Sequence, residues 1–453
     1  MKKQAFHFKK EIKTLFNLIR KRNFSGNSGL AVKNSTYQFG IAFFGKFLAL
    51  LFTAILARVL MPELFGLYSL VLATIFLMIS FTDSGIGTAL IKFVSPYLGK
   101  NNKKASDFSK YFLKLKLILI LVVSLFLVVS SKFIAYNYYE KPIFFALLLG
   151  PLIIFFYGMT NLLENNFRAS NNLKPVFFKE IFFQIARFIF VFGILFLLIG
   201  PTMSQEKKLF LIIFGVLISY LFTLGFLSFF SKQKYSLKEI FASKIPIKEK
   251  KKIKRFLIPV VVTTLSIMIY NYIDLLILGK IVSSAFIGFY SVSSSLVGAL
   301  MAFMGFSIVM YPIFSKLDRK RLERGLEKSF RIVFLISSFV AIGTFIFSPL
   351  IIKIIFGSNY LNSIILLRIF SPLILILSLE GIYVSYFTSI GKTKFLAKFS
   401  IFTTMINIVL TLILALWLLK YGPLNAVIGA SVATLISRII FLGGLIYYRS
   451  KNL

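Results

Sequence analysis

Apolar residues run along this chain in long, nearly unbroken blocks, and the polar residues gather in the short gaps between them. A helix needs about 20 mostly apolar residues to cross the hydrocarbon core of a bilayer. Twelve such runs are predicted, at roughly 37–60, 66–95, 111–134, 142–163, 175–200, 208–231, 256–281, 285–314, 330–356, 362–390, 395–420 and 424–447. A transmembrane β-barrel would alternate apolar and polar positions in segments of about 10 residues, and these blocks do not. The pattern predicts an all-α polytopic membrane protein.

Composition agrees: of 453 residues, 58% are hydrophobic and 15% charged, which places the chain in the membrane class. The charges are lopsided, with 53 Lys plus Arg against 15 Asp plus Glu and a formal net charge of +38. A nucleic-acid binder can be this basic, but here the cations sit in gaps between apolar runs, so no nucleic-acid partner is expected. Basic residues in short loops stay on the cytoplasmic side. They cluster in the first 33 residues, at Lys100 to Lys110, at Arg168 to Lys179, from Lys232 to Arg255, from Lys316 to Arg331, at Lys392 to Lys398, and at Arg449 and Lys451. The alternate gaps hold only Lys132, Lys141, Lys207, Lys208, Lys280, Lys353 and Lys420. This alternation predicts a multi-pass protein of the cytoplasmic (inner) membrane with both termini inside, its basic loops lying against anionic lipid. No small-residue cleavage site follows the first run, so it is expected to remain as an anchor. With no Cys and one His, disulfides, thiolate chemistry and the usual metal sites are excluded, and no cofactor is expected.

Laid on itself, the chain repeats. Residues 55–71, ILARVLMPELFGLYSLV, align without gaps on residues 277–293, ILGKIVSSAFIGFYSVS, pairing Arg58 with Lys280, Gly66 with Gly288 and Tyr68 with Tyr290. Pro96 and Pro312 each precede a basic loop, and FRASNNLK from Phe167 parallels FTSIGKTK from Phe387. Matched segments begin at odd-numbered runs in both halves, so the halves cross the membrane in the same direction. Such parallel repeats build transporters that alternate access between two bundles. The expected organisation is a basic tail at 1–36, a six-helix bundle at 37–231, a basic linker at 232–255, a second six-helix bundle at 256–448 and a short tail at 449–453, the bundles enclosing a central cavity. Gly66 and Gly288 are read as small residues that let helices approach closely. Tyr68 and Tyr290 are read as interfacial anchors.

A charge at the centre of a spanning helix costs about 2.5–3.5 kcal/mol to insert, so each embedded one is a functional candidate. Arg58, Lys92 and Lys280 lie near helix ends, where they can reach the headgroups. Lys46, Arg187 and Arg438 lie deeper and must either line a water-filled cavity or pair with Asp83, Asp274, Glu180 or Glu380. With Arg58, Lys280 and Arg368 they form the candidate cationic set for an anionic substrate, since guanidinium grips phosphate oxygens bidentately. Asp83, Asp274, Glu380 and Asn271 are the candidates for coupling to H+ or Na+; Asp274 stands in YNYIDLLILGK beside Tyr270, Asn271 and Tyr272, or it simply pairs with a cation. No Walker A, H-E-x-x-H or G-x-S-x-G pattern occurs, which argues against ATP hydrolysis and the corresponding hydrolases. The alternate connections are also too short to hold a membrane enzyme's site.

The segment LARVLMPELFGLYSLVLA with Asp83 and the Ser-Gly-Ile-Gly after it, the stretch YNYIDLLILGKIVSSAFIGFYSVSSSL, and the late LLKYGPLNAVIGASVAT resemble the polysaccharide flippases of the Wzx type. These belong to the multidrug/oligosaccharidyl-lipid/polysaccharide exporter superfamily, which also holds the MATE transporters. The resemblance implies translocation of an undecaprenyl-diphosphate-linked oligosaccharide for surface polysaccharide such as O-antigen, through a cationic lumen and on an ion gradient. Polysaccharide polymerase and glycosyltransferases would then be its partner enzymes. Twelve runs are fewer than the lipid II flippases of that superfamily have. The alternatives are a cation or drug antiporter, which would want an acidic or aromatic cavity, and a non-transporting scaffold for envelope assembly, which would have no reason to keep embedded charges.

Overall fold

The computed structural model describes residues 26–83, 85–200, 202–231, 235–242, 245–304, 310, 314–315 and 317–452. Regular structure among them is helical throughout. The basic tail lies outside the described residues up to residue 25, as do Lys232, Lys316 and parts of the eighth run.

The first helical stretch, Gly26–Asp83, breaks at Met61 (φ 61°, ψ 166°). Pro62 follows and has no N–H to continue the ladder, so residues 26–60 (α1) and 62–83 (α2) are separate helices. They are followed by α3 Ile86–Val94, α4 Asn102–Lys132, α5 Phe144–Leu148, α6 Gly150–Ala169, α7 Lys174–Leu198 and α8 Gln205–Phe229. After the short linker helix α9 Leu237–Ala242 come α10 Ile247–Ile281, α11 Ser284–Met304, α12 Arg319–Ile346, α13 Ser348–Ile355, α14 Ser363–Ser389, α15 Thr393–Leu419 and α16 Pro423–Asn452. Starts are set locally: Asn101 accepts the Lys104 N–H at 3.0 Å to open α4, and Asp318 accepts the Arg321 N–H at 2.8 Å to open α12. Eleven segments among the described residues are long and apolar enough to span a bilayer. The first of them, Thr36–Tyr97, carries the break at Met61 and supplies two crossings, which gives the twelve expected. Leu121, Val129, Leu197 and Phe339 stand at least 70% exposed on the outside of the helices, as side chains facing lipid do.

Packing falls into two sets. Helices α1 to α8 pack among themselves and α10 to α16 among themselves, and the sets meet chiefly where α2 crosses α11. Glycine makes that crossing possible. A Cβ on Gly66 would lie 1.7 Å from the Ser284 carbonyl oxygen, and one on Gly288 would lie 2.3 Å from the Pro62 oxygen. The register that pairs Gly66 with Gly288 also pairs Pro62 with Ser284, so each half offers the other the same contact, as about a two-fold axis. Tyr68 and Tyr290, expected as interfacial anchors, are instead buried at 6% exposure each, because the close crossing carries their ring-bearing faces into protein.

Candidate functional site

The second bundle holds a buried carboxylate ringed by oxygens. Asp274 on α10 is 4% exposed. Its Oδ1 accepts from the Thr411 hydroxyl at 2.9 Å, and its Oδ2 from the Tyr290 hydroxyl at 2.9 Å and from the Thr434 hydroxyl. Asn407 stands beside Thr434, its Nδ2 3.5 Å from the Thr434 hydroxyl, and its Oδ1 is a buried acceptor with no partner. Four helices, α10, α11, α15 and α16, thus converge on one carboxylate. From Thr434 the polar chain runs on: the Tyr270 hydroxyl meets Ser437 Oγ at 3.0 Å, the Arg438 guanidinium lies 3.6 Å from the Tyr270 ring centre, and Arg438 Nη1 pairs with Glu380 Oε2 at 3.2 Å. The other oxygen of Glu380, Oε1, is buried without a partner.

The first bundle holds a second chain, richer in cations. Arg187 on α7 stacks its guanidinium 3.9 Å from the Phe52 ring centre and donates to Gln184 at 2.6 Å. Gln184 donates to Glu180 at 3.0 Å, and Lys179 bridges Glu180 at 3.1 Å and Glu164 at 3.0 Å. Glu164 in turn receives Arg168, which also donates to Gln38 at 2.8 Å. Three cations and two carboxylates thus link α1, α6 and α7. The register that pairs Gly66 with Gly288 pairs Phe52 with Asp274, and the one that pairs Phe167 with Phe387 pairs Arg187 with Asn407. At equivalent depth, then, one bundle stacks a cation on a ring where the other presents an amide to a carboxylate.

At one end of the molecule the bundles clasp one another reciprocally. The Tyr360 hydroxyl donates to the Ala57 carbonyl at 2.8 Å, and Lys141 Nζ donates to the Gly279 carbonyl at 2.7 Å; Ala57 and Gly279 are equivalent in the repeat. Arg58 donates to the Ile354 and Ile355 carbonyls at the end of α13, where helix-end oxygens lack internal partners. Its counterpart Lys280 pairs with Glu140 at 2.6 Å. The Lys280 ammonium, hydrogen-bonded to Glu140, holds that carboxyl below the usual carboxylate range, and burial pushes the Lys141 ammonium down.

The cationic candidates separate. Arg58 and Lys280 belong to the clasp, Arg187 and Arg438 to the buried chains, and Arg368 donates to Ser348 at 3.1 Å within the second bundle. Lys46 is exposed, beside the exposed rings of Phe44 and Phe47. Among the coupling candidates, Asp274 and Glu380 share a chain, Asn271 is exposed, and Asp83 pairs with Lys116 at 3.0 Å. Lys116 is 1% exposed and was missed, since it falls near the edge of its apolar run. Lys179 and Arg168, taken from sequence as loop charges that set orientation, are members of the first-bundle chain together with Glu164, which sequence reasoning did not single out.

Residues 55–365 match the polysaccharide biosynthesis protein family. The chain belongs to that family. It is 27% identical over 432 residues to an uncharacterised membrane protein of Methanocaldococcus jannaschii, covering 91% of this chain and 96% of that one. Among solved structures, the lipid II flippase MurJ in an inward closed conformation superposes with a TM-score of 0.72 at 19% identity, over 91% of this chain and 87% of MurJ. An inward-facing multidrug resistance MATE family transporter of the MOP superfamily superposes with a TM-score of 0.65 at 14% identity, over 92% of this chain and all of the other. At such identities the likeness is one of fold. This member of the family therefore has the architecture of the MOP transporters and is a multi-pass membrane protein.

Proposed function

We propose that this protein is a flippase that carries an undecaprenyl-diphosphate-linked oligosaccharide from the cytoplasmic to the outer leaflet of the cytoplasmic membrane. The bundles at 37–231 and 256–448 rock about the α2–α11 crossing, with both termini and the 232–255 linker cytoplasmic. The clasp closes the outer end and has to part for the glycan to leave. Coupling to Na+ or H+ takes place at Asp274. The observation that carries this reading is the oxygen cage: a carboxylate and three hydroxyls, contributed by four helices, suit a small hard cation, for which oxygen ligands are the natural partners. An ion there bears on all four helices at once, so its binding can bias the tilt of the bundle. The stacked Arg187 and the Arg438–Glu380 pair supply charge for a diphosphate once either bundle moves.

The test is translocation of a fluorescent undecaprenyl-diphosphate oligosaccharide in proteoliposomes under an imposed Na+ or pH gradient. Gradient-driven movement that Asp274→Asn abolishes supports the reading. Absence of lipid movement, with gradient-driven efflux of a cationic dye instead, would hand the chain to the antiporter class.

A further inference from the structure

Where the two bundles meet at the basic end, an apolar cleft of about 500 Å³ opens between α4 and α10. Its walls are Tyr111 and Leu115 from the first bundle and Leu257 and Val261 from the second, and Lys250, Lys251 and Lys254 stand at its rim. Neighbouring cations are engaged: Lys104 and Lys252 by Glu249, Lys110 by Glu239, Lys114 by the Phe241 carbonyl and Lys92 by the Phe256 ring. The three rim lysines have no such partner among the described residues. The most apolar window of α10 is also little covered by protein, with 6% of it buried, and Ile258 and Val262 are 56% and 44% exposed below the lysines. From Lys250 to Val262 the helix rises roughly 18 Å at 1.5 Å per residue, so the lysines sit at headgroup level when Val262 is well inside the hydrocarbon core.

From this cleft we infer a docking site for the lipid carrier itself, a polyprenyl diphosphate, with its diphosphate on Lys250, Lys251 and Lys254 and its chain in the apolar cleft. The inference rests on the flippase reading and adds where the substrate first lodges. Charge complementarity selects this occupant: three unpartnered ammonium groups within two helical turns match a diphosphate, which carries more charge than the single phosphodiester of a bilayer lipid. Tyr111 and Leu115 on one wall and Leu257 and Val261 on the other give an apolar slot, suited to an isoprenoid chain. Because the walls come from different bundles, a chain lodged here touches both halves of the machine before transport begins.

Native mass spectrometry of the purified full-length protein, titrated with undecaprenyl diphosphate or with phosphatidylglycerol, tests this. Undecaprenyl diphosphate should be retained at least tenfold more tightly than phosphatidylglycerol. Lys250→Ala, Lys251→Ala and Lys254→Ala together should remove that preference, whereas the three Lys→Arg changes keep it. Val261→Trp, which leaves the charges in place and fills the slot, should weaken carrier binding as well, with helical circular dichroism confirming that both variants fold. Equal retention of the two lipids would overturn the assignment to the carrier, and undiminished binding in the Lys→Ala and Val261→Trp variants would overturn the site. Translocation by the unaltered protein tests the flippase reading separately: transport with no binding here refutes the docking site alone, and binding here with no transport refutes the flippase.

Discussion

Replacing Gly66 by Ala puts the α2–α11 crossing to a quantitative test. The new methyl would sit 1.7 Å from the Ser284 carbonyl oxygen, where ordinary contact begins at 3.4 Å, so that oxygen must retreat by about 1.7 Å. It is a backbone atom and cannot rotate away; the helices have to separate. Overpacking a close-packed site costs roughly 1–3 kcal/mol, and a rigid obstacle puts this one near the top. Alanine's better helix propensity returns about 1 kcal/mol, leaving a net loss of about 2 kcal/mol. Gly288→Ala meets the Pro62 oxygen at 2.3 Å and should cost somewhat less. Both changes push the same two helices apart, so the double variant should lose clearly less than the sum of the singles. Gly298→Ala on the same α11, with nothing within 4 Å of its Cβ position, is the control and should be neutral or slightly stabilising. Unfolding in mixed micelles followed by helical circular dichroism measures all four. Additive losses, or a Gly66→Ala as harmless as Gly298→Ala, would refute the reciprocal crossing.

Acidity should loosen the clasp. Lys280 depresses the Glu140 carboxyl, so the ion pair's contribution is present above the ordinary carboxylate range and lost as pH falls through the lowered value. Spin labels on Asn137→Cys and Ser283→Cys, introduced together into a chain with no cysteine of its own, should move apart on acidification in the otherwise unaltered protein and be already separated, at every pH, when Glu140→Gln is added. Unchanged distances would show that the pair holds nothing closed. Lys116→Met strands the Asp83 carboxylate; losing one partner of a buried pair costs roughly 3–5 kcal/mol, toward the lower end here because the Asp83 side chain is 27% exposed, and adding Asp83→Asn should restore much of it in the same unfolding assay. Glu380→Gln should damage transport more than stability, because Arg438 keeps its stack on Tyr270; equal losses in both would make the pair purely structural.

The spans and the repeat were legible because both are written along the chain: bilayer thickness sets the run length, and two glycines at a close crossing must recur wherever the crossing does. Partners were not legible. Whether Arg438 finds Glu380 or Asp83 depends on how α14 and α16 are rotated about their axes, and hydropathy carries no record of rotation in helices that are apolar on most faces. Lys116 escaped notice for the same reason, since a lysine near the margin of an apolar run reads as one that reaches the headgroups until its helix is seen to turn it inward. Asn271 stands close to Asp274 in sequence. Three residues apart on a helix the two side chains share a face, yet Asn271 is exposed and the partners of Asp274 are Thr411, Thr434 and Tyr290, which arrive from other helices.

Residues that meet by exchange, Gly66 on Ser284 and Gly288 on Pro62, are what two identical subunits make when they dimerise. A homodimer, however, must carry every feature twice. Joining the halves by the 232–255 linker frees each copy to change alone, and the position that is Phe52 in one has become Asp274 in the other. Two equal lobes would present the same chemistry on both sides of the crossing. Duplication supplied the crossing; divergence across it made its two sides chemically different.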